Sequence, residues 1–113
     1  MCNKNQLDEI GRRIANEAIE ELGDRLDSVL LYGSYARGDF DSDSDIDIMI
    51  VADISDEDAN RLEESLVIFT TKLDLEFDVI ISLYVKGKSS FYEWSNVLPF
   101  YKNVIREGVS LIA

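Results

Sequence analysis

Asp45 and Asp47 stand two residues apart at the start of an apolar run, Ile46-Asp47-Ile48-Met49-Ile50-Val51-Ala52. On an extended strand, residues i and i+2 share a face, so the two carboxylates point the same way. Like charges held that close repel unless a cation lies between them. Magnesium suits the position, because it seeks oxygen and keeps places open for phosphate. Upstream, the short apolar run Val29-Leu30-Leu31-Tyr32 ends at Gly33-Ser34. A helical turn that begins directly after a strand aims backbone N–H groups at an anion. Glycine at 33 lets a phosphate approach the backbone closely, and the Ser34 hydroxyl can donate one more hydrogen bond. The two segments together read as a phosphate-binding turn beside a cation-binding carboxylate pair.

Two better-known loops are excluded by the residues present. Gly33 and Gly38 have the glycine spacing of a P-loop, but Asp39 and Phe40 stand where lysine and serine or threonine are required. The alternation of Asp39, Asp41, Asp43, Asp45 and Asp47 suggests a calcium loop. An EF-hand begun at Asp39 needs glycine and glutamate where the chain has Ser44 and Ile50. A third carboxylate would complete a two-metal site, and Asp78 is the candidate, interrupting the apolar run Phe77-Asp78-Val79-Ile80-Ile81. A charge buried there is costly without a partner. Glu76, on the same face of an expected strand, is its competitor. Arg37 is placed either to meet a phosphate or to neutralise the acidic loop after it. Lys86 and Lys88 read as the residues of a turn, placed either to face solvent or to help hold a triphosphate.

The elements that must hold these groups are legible from periodicity. Leu7, Ile10, Ile14, Ala18 and Leu22 recur at helical spacing, with Gly23 as the stop. Strands are expected at Val29–Tyr32 and Ile46–Ala52. Ser55 followed by Asp56, Glu57 and Asp58 opens a second helix, whose core stripe is Ala59, Leu62, Leu66, Phe69 and Leu73. A third strand is expected over Phe77–Val85 and a turn at Lys86-Gly87-Lys88. Pro99 opens a last helix running to about Glu107, stopped by Gly108, with Val109–Ile112 as a short edge strand. The aromatic stretch Phe91, Tyr92, Trp94, Phe100 and Tyr101 reads as core, any exposed subset marking a partner surface. No repeat or linker divides the chain, so residues 1–113 read as a single α/β domain with a small mixed sheet.

Composition narrows the chemistry further. The chain has 113 residues, no histidine and one cysteine. Ser-His-Asp and Cys-His sites are therefore impossible, a nitrogen–sulfur zinc site lacks ligands, and no intrachain disulfide can form. Cys2 reads as an exposed terminal thiol. Lysine and arginine total 11 against 23 aspartates and glutamates, a net charge of −12 that argues against a duplex nucleic acid partner. The polar start, Met1–Glu9, lacks the apolar core of a signal peptide. No apolar stretch approaches the ~18 residues of a membrane span, so a cytoplasmic protein is expected.

Gly33-Ser34-Tyr35-Ala36-Arg37-Gly38 followed by Ser44-Asp45-Ile46-Asp47 resembles the signature of the DNA polymerase beta nucleotidyltransferase superfamily. More narrowly, the short chain resembles the minimal nucleotidyltransferases (MNT), which often act as the antitoxin half of HEPN–MNT toxin–antitoxin pairs. The resemblance extends over nearly the whole chain. It implies an α+β nucleotidyltransferase fold with three or four strands flanked by helices. It also implies an enzyme that moves a nucleoside monophosphate, AMP from ATP, to a hydroxyl and releases pyrophosphate. On the matching positions, the Gly33 backbone and Ser34 would hold the outer phosphates with Arg37 beside them, and Asp45 and Asp47 would bind two magnesium ions. Asp78 would bind the catalytic ion and assist deprotonation of the attacking hydroxyl. A partner protein such as a HEPN toxin, or a self-dimer, would complete the site. The contrasting readings are a non-catalytic antitoxin that acts by contact, and an antibiotic-type adenylyltransferase subunit.

Overall fold

The computed structural model describes residues 3–41 and 43–112. Cys2 lies outside the described residues. In chain order the elements are α1 (Lys4–Leu22), a 3-10 turn (Gly23–Arg25), β1 (Leu26–Tyr32), α2 (Ser34–Arg37), β2 (Ile46–Ala52), α3 (Asp56–Phe77), β3 (Ile81–Gly87), α4 (Lys88–Trp94), α5 (Pro99–Glu107) and β4 (Val109–Ser110). The four strands form one mixed sheet in the order β3-β2-β1-β4. β1 runs antiparallel to both its neighbours, whereas β3 runs parallel to β2 after the crossover through α3. This is an α+β fold.

Helix α1 starts at a capping box, the Asn3 side chain accepting from the Gln6 N–H while Gln6 reaches back to the Asn3 N–H. It ends at Gly23, and its buried stripe is Ile10, Ile14, Ala18 and Leu22. In α3 the Ser55 hydroxyl accepts from the Asp58 N–H at 3.1 Å, and three acidic residues occupy the first turn, where the helix dipole favours them. Both helices cover one face of the sheet, packing against Val29 and Leu31, Ile46, Ile48 and Ile50, and Ile81, Leu83 and Val85. The opposite face carries a smaller cluster, in which Phe91 of α4 and Val104 of α5 bury Tyr32, Met49 and Val51. β2 is thus enclosed from both sides, and Asp47 is the one residue in it that is not fully buried.

Three expectations are corrected. The third strand begins at Ile81, not Phe77, because α3 runs on to Phe77. Phe77 is the next position of the helical stripe after Leu73, packs against the core, and carries the Arg13 guanidinium over its ring at 5.4 Å. Asp78 then ends the helix in the left-handed conformation, φ 55° and ψ 54°. The turn expected at Lys86-Gly87-Lys88 is also absent: Lys86 and Gly87 complete β3, and Lys88 opens α4. The aromatic stretch is divided rather than uniformly core, with Phe91 buried and Tyr92, Trp94 and Phe100 exposed. Among the described residues, no helix is long and apolar enough to cross a membrane.

Candidate active site

β1 and β2 bring the two halves of the motif together. In their antiparallel ladder Tyr32 lies opposite Asp47, so the residue after Tyr32 turns across the Asp47 carboxylate. That residue is Gly33, with φ 74° and ψ −156°, a region that glycine alone enters readily. A Cβ built on Gly33 would overlap Asp47 Oδ2. Glycine is required twice over, by backbone angle and by the carboxylate lying against it. Ser34 opens the single helical turn α2, and Gly38 closes it at φ 82°.

The expected site residues line two clefts. One, of about 380 Å³, is lined by Gly33, Ser34, Arg37 and Asp47, with Tyr32 and Phe100 as its aromatic walls. The other, of about 300 Å³, is lined by Asp45, Asp78 and Tyr35 among others. Asp78 therefore faces the same space as Asp45, but from the exposed end of α3 rather than from a strand. Asp78 is exposed, so the expected cost of burying a charge at that position does not arise. Glu76 is in the last turn of α3, paired with Arg13 at 3.0 Å. Among the described residues, no three carboxylate or thiol groups converge as a metal cage. Arg37 lines the first cleft, yet its guanidinium donates to Asp39 and to Glu107, each at 3.1 Å. It ties the acidic loop to α5.

Negative charge dominates at the pair. Burial pushes the Asp47 carboxyl up, the charge of Asp45 pushes it further, and Arg37 opposes both weakly. Among the described residues, neither Asp45 nor Asp47 takes part in an ion pair. The Tyr32 phenol is also raised, first by burial and then by Asp47, so it stays neutral beside the pair.

Two neighbours of the pair were not legible as site residues. Ser82 of β3 lies beside Asp47 in the parallel ladder and donates from Oγ to Asp45 Oδ2 at 3.2 Å. Asp74, in the last turns of α3, accepts from the Ile81 N–H at 3.0 Å; its carboxyl is raised by burial and, in smaller part, by Asp45. Ser82 did leave a faint trace, a small polar residue between Ile81 and Leu83.

The raised Asp47 carboxyl has a consequence for stability. Between its unfolded value and its higher folded value, the folded state holds the extra proton, so the contribution of Asp47 to stability falls as pH rises through that window. Without divalent cations, Asp47→Asn is expected to melt above the wild type near neutral pH. That gap should close as the pH falls towards the unfolded aspartate value of about 3.9. A gap that stays constant across the range contradicts the electrostatic account.

A turn built for close approach is thus pressed against a carboxylate pair. The sequence profile of the nucleotidyltransferase domain matches residues 12–109. The chain belongs to that family. The nucleotidyltransferase assignment is supported by two Methanocaldococcus jannaschii proteins that carry the name "putative protein adenylyltransferase". One is 37% identical over 84 residues, 74% of this chain and 76% of its own length. The other is 32% identical over 91 residues, 78% of this chain and 90% of its own length. Among solved structures, a toxin–antitoxin complex with AMP-PNP superposes with a TM-score of 0.54 at 20% identity. That match covers 90% of this nucleotidyltransferase and 73% of the other chain, a likeness of fold.

Proposed function

We propose that this nucleotidyltransferase moves AMP from ATP to a hydroxyl on a partner protein, with magnesium held by Asp45 and Asp47. The observation that carries the reading is the contact of the Asp47 carboxylate with Gly33, which joins the cation ligands to the phosphate turn. The residues fit the ion. Two carboxylates without a cationic partner supply part of an octahedral shell, and magnesium usually takes the rest from phosphates and water. When bound, it would neutralise the phosphates and lower the pKa of an attacking hydroxyl.

The chain's own groups would do the remainder. The Gly33 backbone and Ser34 would hold the β- and γ-phosphates, with Arg37 at the edge of the cleft. Asp45 and Asp47 would act on the α-phosphate only through the magnesium they hold, setting it for in-line attack. The acceptor oxygen then bonds to the α-phosphorus, the bond to the β-phosphate oxygen breaks, and pyrophosphate departs. Asp78 lines the cleft beside Asp45, where it would bind the second ion and take the proton of the attacking hydroxyl. Phe100, half exposed at the mouth of the first cleft, gives a protein acceptor an apolar surface to meet. The names of the two archaeal relatives favour a protein acceptor, and a HEPN-type toxin is the partner we infer.

Labelled ATP, magnesium and the candidate toxin test the proposal together. Label on the toxin is the expected result. Tight binding of the toxin without label contradicts transfer and favours an antitoxin that acts by contact.

The role of Asp78 separates cleanly from its place at the helix end. Glycine suits a φ of 55°, so Asp78→Gly is expected to keep or raise the melting temperature. ATP–magnesium binding should persist in calorimetric titration while transfer falls on the order of 10²-fold, the size of a lost acid–base group. Full transfer by this variant removes Asp78 from the site.

A further inference from the structure

Strand β3 is the sheet neighbour of the carboxylate pair. Its parallel register places Ser82 beside Asp47, with Ile81 beside Ile46 and Leu83 beside Ile48. Alternation then gives β3 two kinds of side chain: Ile81, Leu83 and Val85 enter the core under α1 and α3, and Ser82 takes the face that carries Asp47. Position 82 is thus the one place on β3 from which a side chain in register can join the pair. A half-buried hydroxyl stands there, and it donates to Asp45 Oδ2 at 3.2 Å.

We propose that Ser82 is a positioning residue for the cation site, a role that rests on the reading of Asp45 and Asp47 as cation ligands. The terminal torsion of an aspartate is soft, and two like charges side by side favour rotation apart. The Ser82 hydroxyl tethers one oxygen of Asp45, which fixes the carboxylate plane and leaves Oδ1 clear of that bond. A cation then meets Asp45 and Asp47 as a preformed pair. A hydroxyl does this without adding a third negative charge to a site that already strains Asp47. Hydrogen-bond partners behind metal ligands act in this way generally, and their loss weakens metal binding.

The test is calorimetric titration of Mn2+ into the nucleotide-free full chain, with melting temperature measured alongside in chelator. Ser82→Ala is expected to bind Mn2+ roughly 10-fold more weakly, the lower end of the usual effect for such partners. Its chelator melting temperature should match the wild type. Ser82→Thr keeps the hydroxyl and is expected to restore affinity, and Asp45→Asn should bind weakly. Wild-type affinity in Ser82→Ala beside weak binding in Asp45→Asn overturns the proposal alone. Wild-type affinity in both overturns it together with the cation reading. Equal loss in Ser82→Ala and Ser82→Thr, with lowered melting, assigns Ser82 to packing and also overturns it.

Discussion

Asp45→Asn and Asp47→Asn should each lower the rate of adenylyl transfer on the order of 10³-fold, as loss of a group that stabilises transition-state charge typically does. Neither change should unfold the protein. Asp47 is the single residue of β2 left partly open, its carboxylate lies against Gly33, and burial and Asp45 both disfavour its charge. Neutralising it removes a destabilising charge from the cation-free protein while leaving the size of the side chain unchanged. Activity and stability therefore move in opposite directions, as they do where function maintains local strain. Transfer assays beside melts with and without magnesium check both halves. Magnesium should raise the wild-type melting temperature and leave the variants nearly unmoved. Full activity, or a loss of fold in both variants, contradicts the site.

Gly33→Ala should damage stability and chemistry at once, whereas Gly38→Ala should damage stability alone. Both glycines have positive φ, so alanine is strained at either. At Gly33 the combination of φ 74° and ψ −156° costs about 1–3 kcal/mol for any other residue. The added methyl must also displace Asp47 Oδ2. At Gly38 the left-handed angles cost about 1 kcal/mol, and no atom lies within 4 Å of the new methyl. The expected result is two lowered melting temperatures, the lower for Gly33→Ala, with transfer retained by Gly38→Ala and lost in Gly33→Ala. Near-normal transfer by Gly33→Ala contradicts the idea that close approach of carboxylate to backbone sets the site.

The parts of this molecule that the sequence displays are those governed by local chemistry. β2 is bounded by the acidic loop and by the helix cap at Ser55, α5 begins at Pro99 and ends at Gly108, and α1 stops at Gly23. Gly33-Ser34 and Asp45-Ile46-Asp47 were legible because each depends on neighbours in sequence. Asp78 was misplaced because Phe77-Asp78-Val79-Ile80-Ile81 has the composition of a strand. The stripe through Leu66, Phe69 and Leu73 extends by one more helical step to Phe77, and packing of that partly buried ring against the core carries the helix on. An aspartate then tolerates the left-handed cap. Ser82 left only a faint trace, for a different reason. Its place beside Asp47 depends on the register of a parallel pair joined through a 22-residue helix, and nothing local specifies that register. The division of the site into two clefts is likewise a product of packing.

If Asp45 and Asp47 hold the cation that carries the nucleotide against the Gly33 turn, nucleotide binding needs both the carboxylates and magnesium. Calorimetric titration of ATP with magnesium into the wild type and the Asp45→Asn/Asp47→Asn double variant addresses it most directly, since it needs neither acceptor nor turnover. The wild type should bind saturably, with binding lost when magnesium is chelated, and the double variant should not bind at the same concentrations. A folded double variant that binds ATP–magnesium with wild-type affinity would contradict it.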